Sequence, residues 1–348
     1  MPCKPRSSVR LILSSLTILT FCNVAHSLLD PISLSVIAGG AVLSALYKRD
    51  VVKELTVCKF TECCIDAHIP ADMTELSLDL EANVFGQHIV HKQLVSALRS
   101  HYTGLDKSTK PLVLSFHGTP GTGKNYVADH IAKHLYRDGT NSSFIRRFMG
   151  RTDFPMESDV NYYRLTLRSA VVDAIKICPR SLFIFDEVDK IPSGVFEALT
   201  SLLDHHHNVD GVNLRHATFI FLSNAGGTEI TDKLLEITGN GMLREETQLY
   251  HFEKIAELAA YNIVGGLRKT SIIEANLIDH FIPFLPLEKR HIERCILSDF
   301  MRFGVDRPTH DDIEEISNNY VTYYKKLYST SGCKRLTKKV AIYADKYK

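Results

Sequence analysis

The stretch FHGTPGTGKN, residues 116–125, decides the fold. It follows a short apolar run and has the spacing Gly-x4-Gly-Lys, which is typical of a phosphate-binding loop. Glycines let the backbone turn so that its N–H groups face phosphate oxygens, and the lysine brings a positive charge to the β- and γ-phosphates. The residues predicted to bind nucleotide are Gly118, Thr119, Pro120, Gly121, Thr122, Gly123, Lys124 and Asn125.

Asn125 departs from the usual form of this loop, in which a Ser or Thr hydroxyl ligates Mg²⁺. Its amide oxygen can take that place at lower field strength, or the side chain can support the loop or a contact with a partner. The role of Asn125 itself stays open. Because this residue departs from the usual pattern, it sharply restricts the protein families to which the chain can be compared.

Two carboxylates follow the apolar run 181–185, which is typical of a buried parallel strand. This is a Walker B pattern, in which Asp186 holds Mg²⁺ and Glu187 polarises the attacking water. A carboxylate pair that closes a buried strand is costly without a cation. A plain strand with an acidic turn is therefore the weaker interpretation.

A second buried strand, 217–222, ends in Ser223 and Asn224. Alone, Asn224 would be an ordinary turn residue, since two glycines follow it. After a phosphate loop and Walker B it matches sensor 1 of AAA+ ATPases, whose amide hydrogen-bonds the γ-phosphate and the catalytic water.

These motifs predict an α/β fold: an AAA+ P-loop parallel sheet sandwiched by helices, with a small C-terminal helical lid domain. We place the large domain at 58–268 and the lid at 269–348, and we expect the last third of the chain to be helical. Lys334 fits the lid residue called sensor 2 in type and place. Periodicity predicts helices over 126–136, 253–267, 292–303 and 313–326, and the apolar segment 277–284 falls in the helical part.

The N-terminus predicts a secretory signal over residues 1–27, with a basic start, an apolar run and small residues at the cleavage site. An uncleaved membrane anchor is the alternative. Residues 28–48 form a second hydrophobic segment, too short and too interrupted for a strong span. We expect it to lie in or dip into one leaflet, and a buried core helix is the alternative.

Six cysteines remain if Cys3 and Cys22 leave with the signal. The cluster 58–64, with Cys58, Cys63 and Cys64, favours a local disulfide in an oxidising compartment. A zinc site is less favoured because only one histidine, His68, lies near. Asn141 lies in an N-glycosylation sequon within a polar loop.

The chain resembles the torsins, AAA+ ATPases of the endoplasmic reticulum lumen and nuclear envelope related to Clp-type unfoldases. The residues that carry the resemblance are GTPGTGKN (118–125), SLFIFDEVDK (181–190), FIFLSNAGG (219–227), NLIDHFIPFLPLE (276–288) and GCK (332–334), with CCIDAH (63–68) and NVFGQHIV (83–90) upstream. The match covers about residues 58–348 and includes the Asn in the loop.

The resemblance implies ATP and Mg²⁺ as ligands and weak hydrolysis by the chain alone. It implies an arginine finger supplied by the lumenal domain of a type II membrane protein of the lamina-associated-polypeptide class. It also implies homo- or hetero-oligomers, peripheral membrane association and a redox pair of Cys295 and Cys333. A buried, merely apolar Cys295 is the alternative.

Other features point to no further activity. Net charge is +1 and the isoelectric point is near 7.7, so nucleic-acid binding gains no support. Arg244 is interpreted as a solvated or interface arginine rather than a Clp-type finger. The three histidines 205–207 are interpreted as a solvated loop, because adjacent side chains diverge.

The function predicted is a partner-activated lumenal ATPase that remodels proteins or membranes. An ATP-gated scaffold, in which binding rather than hydrolysis matters, is the alternative. A cytosolic or nuclear clamp loader or helicase is opposed by the signal, the sequon and the near-neutral charge.

Overall fold

The computed structural model describes residues 58–205 and 208–348. The predicted signal (1–27) and the predicted membrane-associating segment (28–48) lie outside the described residues. Residues up to 63 belong to one unit and residues 64–348 to another, and the fold below is that of the second unit. None of the helices in the described ranges has the length and apolar character that crossing a bilayer requires.

The centre of the fold is a five-stranded parallel sheet in the order β2-β3-β4-β1-β5. The strands are β1 Leu112–His117, β2 Ile145–Met149, β3 Leu182–Asp186, β4 Thr218–Ser223 and β5 His280–Pro283. The inner strands β1, β3 and β4 are buried along their length and mostly apolar, because helices cover both faces of the sheet. The predicted α/β class is therefore confirmed.

Twelve α-helices surround or follow this sheet in the described part of the chain. They are α1 Met73–Asn83, α2 His88–Thr103, α3 Lys124–Leu135, α4 Gly150–Asp153, α5 Val160–Ile177, α6 Thr200–Leu203, α7 Gly227–Gly239, α8 Glu253–Asn262, α9 Ser271–Glu274, α10 Lys289–Arg302, α11 His310–Tyr320 and α12 Thr337–Ala344. A two-stranded antiparallel hairpin, β6 Tyr323–Tyr324 and β7 Tyr328–Ser329, joins α11 to the final turn before α12.

Each face of the sheet has its own buried core. On one face, phenylalanine rings from neighbouring strands stack, with centroids 4.6 Å apart for Phe183 and Phe219 and 5.1 Å for Phe185 and Phe221. The other face buries the alternate aliphatic residues of the same strands under α1, α2 and α3. A third core joins α10, α11 and α12 into a separate helical lid.

The segment 277–284 is a correction to the sequence prediction. It supplies β5, which pairs with β1, instead of belonging to a helical last third. The reason is geometric: β4 covers one edge of β1, and the short apolar segment around Pro283 covers the other, with the Phe284 N–H donating to the His117 carbonyl at 2.7 Å. The sheet therefore takes a strand from beyond residue 268.

Two predicted helices are also shorter than expected. The helix predicted over 253–267 ends at Asn262, because Gly265 and Gly266 follow and Gly265 needs φ +149°. The helix predicted over 313–326 runs from His310 to Tyr320 and gives way to the hairpin. The helix predicted over 292–303 is confirmed as α10.

Candidate active site

Strand register brings the separate sequence motifs to one edge of the sheet. His117, the last residue of β1, pairs with Ser223 at the end of β4, so the phosphate loop begins beside Asn224. Phe185 of β3 pairs with Phe221, which places Asp186 at the same edge. Ligands of open parallel sheets bind at this carboxyl edge.

The phosphate loop, residues 118–123, joins β1 to α3. Gly121 and Gly123 have φ of +80° and +104°, a conformation that glycine adopts without strain. The helix begins at Lys124, so its first N–H groups and its positive dipole end are directed at the loop. The predicted loop and the helix after it are both present.

Lys124 is buried, and its Nζ donates to the carbonyls of Gly118 at 2.7 Å and Thr119 at 3.0 Å. Burial lowers the pKa of Lys124 to about 8, against the nearby carboxylates of Asp189 and Asp186, which act to raise it. Such a cation, held by carbonyls alone, is suited to an incoming anion.

Asn125 contacts the Walker B carboxylate. Its Nδ2 donates to Oδ2 of Asp186 at 2.6 Å, while the N–H of Glu187 donates to Oδ1 at 2.8 Å. A carboxylate only accepts hydrogen bonds, so the amide nitrogen is the contacting atom of Asn125. The side chain therefore orients Asp186, a role that was not among those considered from the sequence.

Glu187 and Asn224 both line the cleft next to the loop. Glu187 has φ +52°, which is unusual for a residue with a side chain and is often found at functional sites. The Arg151 Nε lies 3.4 Å from its Oε2. The backbone N–H of Asn224 donates to Asp189 at 3.2 Å, which fixes the turn that carries its side chain.

The cleft has a volume of about 650 Å³ and lies between the sheet edge and the helical lid. All the predicted catalytic, metal and lid residues line it, together with the loop from Pro120 onward. The lining residues are Asn83, Val84, Phe85, Pro120, Gly121, Thr122, Gly123, Lys124, Asn125, Tyr126, Met149, Asp186, Glu187, Leu222, Asn224, Leu287, Cys295, Ser298, Asp299, Arg302, Cys333, Lys334 and Thr337.

The lid contacts the phosphate loop backbone to backbone. The Cys333 N–H donates to the Gly121 carbonyl at 3.3 Å. A Cβ added at Gly332 would lie 1.9 Å from that carbonyl oxygen, so no side chain fits there. Cys333 also forms a disulfide with Cys295 of α10, as the resemblance implied. Lys334 follows directly and faces the cleft.

Gln87 is a supporting residue that sequence reasoning missed. It is buried, and its Nε2 donates to the Thr122 carbonyl at 3.1 Å and the Leu285 carbonyl at 2.8 Å. Its Oε1 accepts from the Leu285 N–H at 2.9 Å. Gln87 therefore connects the phosphate loop to the segment after β5. The available sequence signal for this role was a polar residue inside the torsin-like segment 83–90.

Arg244 is a second correction, since it is neither solvated nor at an exposed interface. Its side chain is 3% exposed. Its Nη1 donates to the Pro286 carbonyl at 2.9 Å and its Nη2 to the Gly86 carbonyl at 2.7 Å, and Glu288 neutralises it. The two loop carbonyls and the Glu288 carboxylate supply partners for most of the guanidinium, which makes its burial favourable.

The cysteines 58–64 form disulfides, so the zinc alternative there is wrong. Cys58 pairs with Cys63, which confirms the predicted local bridge. Cys64 pairs with Cys178, a residue that the sequence left without a partner. The local spacing gave no signal for this bridge, because the two cysteines are 114 residues apart.

Two further predicted features are at the surface or beyond the described residues. Asn141 is exposed at the end of a short 3₁₀ turn, Gly139–Asn141. His205 is exposed and contacts the Thr109 hydroxyl at 3.1 Å. Residues 206 and 207 lie outside the described residues.

A parallel sheet that carries a phosphate loop, a carboxylate pair and an amide at its carboxyl edge, closed by a helical lid, defines the AAA+ ATPase class. Two solved structures share this fold, the S. cerevisiae Hsp104-ADP complex and a closed state of Hsp104 with ATPγS and FITC casein. Their TM-scores are 0.52 and 0.54 at 18% and 15% identity, over 80% and 78% of this chain. The chain spans 49% and 46% of those chains, and the likeness concerns the fold alone.

The chain belongs to the torsin family. The torsin family pattern matches residues 58–185. A torsin-like protein of Drosophila melanogaster is 45% identical over 338 residues, which cover 96% of this chain and 98% of the relative. A torsin-like protein of Caenorhabditis elegans is 37% identical over 83% of this chain and 82% of its own length.

Proposed function

We propose that this torsin is a lumenal, membrane-associated ATPase of the endoplasmic reticulum and nuclear envelope that remodels proteins or membranes. It turns over slowly alone and is stimulated by a partner. The observation that carries the proposal is the single cleft lined by Lys124, Asp186, Glu187, Asn224 and Lys334. Together these are the groups that a phosphoryl transfer to water needs.

The cleft is suited to a nucleotide triphosphate with Mg²⁺. Lys124 is a buried cation whose Nζ donates to neutral carbonyls of its own loop, so phosphate oxygens are better partners for it. Asp186 offers carboxylate oxygens, the ligand type that Mg²⁺ prefers. When bound, Mg²⁺ neutralises charge on the phosphates; Asp186 would hold it, oriented by Asn125.

The remaining residues act on the water and the terminal phosphate. Glu187 accepts the proton of the attacking water, and the turn conformation of its backbone presents the carboxylate to the cleft. Asn224 donates to the γ-phosphate or orients the water, and Lys334 adds positive charge from the lid. Asn224 and Lys334 thus stabilise the negative charge that develops on the phosphate oxygens during hydrolysis.

The proposed dependence of ATP hydrolysis on a partner rests on Arg244, which cannot act as an arginine finger. Arg244 lies in the segment where a Clp-type finger would be expected, but its guanidinium is buried and bonded to two loop carbonyls. A finger has to reach a neighbouring subunit's site from an exposed position. We therefore assign the finger to the lumenal domain of a type II membrane protein of the lamina-associated-polypeptide class, by resemblance to the family.

The lumenal location is supported by the cysteines and by the sequon. All six cysteines from Cys58 onward are paired, which suits an oxidising compartment. Asn141 is exposed, as a glycan acceptor must be. An endoglycosidase shift of the expressed chain, abolished by Asn141→Gln, tests this location directly.

Redox control through Cys295 and Cys333 is part of the proposal. The disulfide anchors the turn whose N–H bonds the phosphate loop and whose next residue is Lys334. Reduction by an external dithiol, which becomes a disulfide as it supplies two electrons and two protons, releases this turn from α10, so nucleotide affinity is expected to fall in the reduced protein.

The decisive test is ATP hydrolysis with and without the partner's lumenal domain. Slow basal turnover, raised by several orders of magnitude with the partner, supports the proposal. Fast turnover that the partner leaves unchanged would contradict it. Glu187→Gln is expected to retain ATP and lose both hydrolysis and the rescue of a torsin-deficient cell; rescue by this variant would favour the ATP-gated scaffold instead.

A further inference from the structure

Within residues 58–205 and 208–348, one group of side chains outside the nucleotide site brings three metal-binding atoms together. These are the carboxylate of Asp79 on α1 and the imidazoles of His130 and His134 on α3. Their candidate ligand atoms all lie within 4.8 Å of one another. The group has no part in the proposed ATPase chemistry.

The sequence spacing on α3 creates the histidine half of this group. Residues four apart on a helix lie on the same face, one turn above the other, so both imidazoles reach toward α1. His130 Nδ1 lies 2.8 Å and His134 Nε2 lies 2.6 Å from the same oxygen, Asp79 Oδ2. Asn83 donates to the other oxygen, Oδ1, at 2.7 Å and so holds the carboxylate plane.

The group is sheltered but has one open side. The side chains of Asp79, His130 and His134 are 13%, 9% and 14% exposed. Lys133 lies over the carboxylate with its Nζ 2.8 Å from Oδ2, and its side chain is 59% exposed. Three donors thus converge on one carboxylate oxygen, and the ammonium occupies the side from which an ion would enter.

We propose that Asp79, His130 and His134 form a binding site for a late first-row divalent ion such as Zn²⁺. Two imidazole nitrogens and one carboxylate oxygen are a ligand set that Zn²⁺ accepts, with water in the fourth position. Zinc bonds of about 2.0–2.1 Å in a tetrahedron place ligand atoms about 3.3 Å apart. The two imidazole-to-carboxylate distances must therefore open by about 0.5–0.7 Å, which small side-chain rotations supply once Lys133 swings into solvent.

Binding needs each imidazole to present a lone pair to the ion, so His130 binds through Nδ1 and His134 through Nε2. The protons move to the opposite ring nitrogens or to solvent, and no electrons are transferred. The site lies behind the nucleotide cleft, since Asn83 and the neighbour of His130, Tyr126, both line that cleft.

The test is Zn²⁺ titration of the full, nucleotide-free chain by calorimetry, repeated with Co²⁺ to record its visible absorption as a reporter of coordination. The disulfides are kept intact so that no thiol competes. Loss of an outer-shell partner costs about 10- to 100-fold in metal affinity, so His134→Gln, which removes a direct ligand, is expected to cost at least about 100-fold. His205→Asn, an exposed histidine outside the group, is the matched control and is expected to bind like the wild type.

Lys133→Ala separates a metal site from a purely structural cluster. If the site binds Zn²⁺, removal of the competing ammonium raises the affinity about two- to fivefold, the range of an exposed ion pair. The residue is exposed, so this variant is expected to fold. Equal Zn²⁺ affinity in wild type, Lys133→Ala and His134→Gln, or no change in the Co²⁺ spectrum between wild type and His134→Gln, would overturn the proposal.

Discussion

Gly332→Ala is expected to weaken nucleotide binding by acting on the contact between lid and phosphate loop. Gly332 has φ +55° and lies against the backbone of Gly121. The Cβ of alanine would lie 1.9 Å from the Gly121 oxygen and 2.4 Å from its carbonyl carbon. Neither is a flexible side-chain end, so the two backbones have to separate.

The size of the effect follows from that separation. Non-bonded heavy atoms pack at about 3.5 Å, so lid and loop must move apart by about 1.6 Å. The Cys333 N–H to Gly121 bond, now 3.3 Å, is then lost. The loss of this bond destabilises the contact between lid and loop in the free and the nucleotide-bound chain alike, so it does not by itself change the affinity. The displaced Lys334 loses a charged hydrogen bond to phosphate, worth about 1.5–3 kcal/mol, and a loss near 2 kcal/mol predicts about 30-fold weaker binding.

Gly304→Ala is the matched control because Gly304 also lies in the lid and has φ +79°, yet nothing lies within 4 Å of its added Cβ. Both variants pay the left-handed backbone cost of about 1 kcal/mol, but only Gly332→Ala disturbs the loop. The measurement is the dissociation constant of a slowly hydrolysed ATP analogue for both variants, with the disulfide oxidised.

Equal affinities of Gly332→Ala and Gly304→Ala would refute the idea that the lid turn supports the phosphate loop. A second comparison uses reductant. If the Cys295–Cys333 disulfide acts through the same contact, reduction weakens nucleotide binding by wild type and has little further effect on Gly332→Ala. If reduction weakens nucleotide binding equally in wild type and in Gly332→Ala, redox control does not act through this contact.

Three further predictions concern stability. Asn125→Ala removes the bond to Asp186 and is expected to lower the unfolding free energy of the nucleotide-free chain by about 1 kcal/mol in urea titrations; an unchanged value contradicts that bond's role. Replacing Cys64 and Cys178 together by Ser opens a 114-residue loop and is expected to cost about 2–4 kcal/mol, measured as a fall in denaturation midpoint. Burial lowers the pKa of His117 to about 4, below 6.5 when unfolded, so its stability contribution is present above pH 6.5 and is lost as the pH falls. About 2 kcal/mol of acid sensitivity between pH 7 and pH 5 should therefore be missing from His117→Asn, and equal slopes would argue against it.

The parts of the site that sequence predicted are those set by a few adjacent residues. The loop 118–125, the pair Asp186 and Glu187 and the strand ending at Asn224 each need only local spacing, because consecutive residues fix the turn and the parallel strands supply a common edge. Lys334 was predicted as the lid lysine from its residue type and its place near the end of the chain, and it also lines the cleft.

The parts that sequence missed depend on contacts far apart in the chain. The strand at 280–283 has too few residues to show a period, and its pairing with β1 decides its conformation. Gln87 and Arg244 carry polar side chains whose burial is explained only by the carbonyls of other loops. Cys64 and Cys178 are likewise joined by topology alone.

In the nucleotide-free site Lys124 and Asp186 already have hydrogen-bond partners within the chain, and this bears on how the site works. Lys124 bonds the loop carbonyls and Asn125 bonds Asp186, so ATP with Mg²⁺ must replace the first contact but can keep the second. The contact of Cys333 with Gly121 needs no replacement, since it lies on the lid side of the loop. The main cost of nucleotide binding is therefore the loss of the Lys124 contacts with the loop. Burial lowers the pKa of Lys124, so its charged form is stabilised by an anionic partner. A Ser or Thr at position 125 would offer Mg²⁺ a hydroxyl but would give up the Asn125 amide donor that orients Asp186. A site that holds its carboxylate by an amide in this way is organised before the nucleotide arrives, and under the proposed function a partner's arginine would add positive charge at the γ-phosphate.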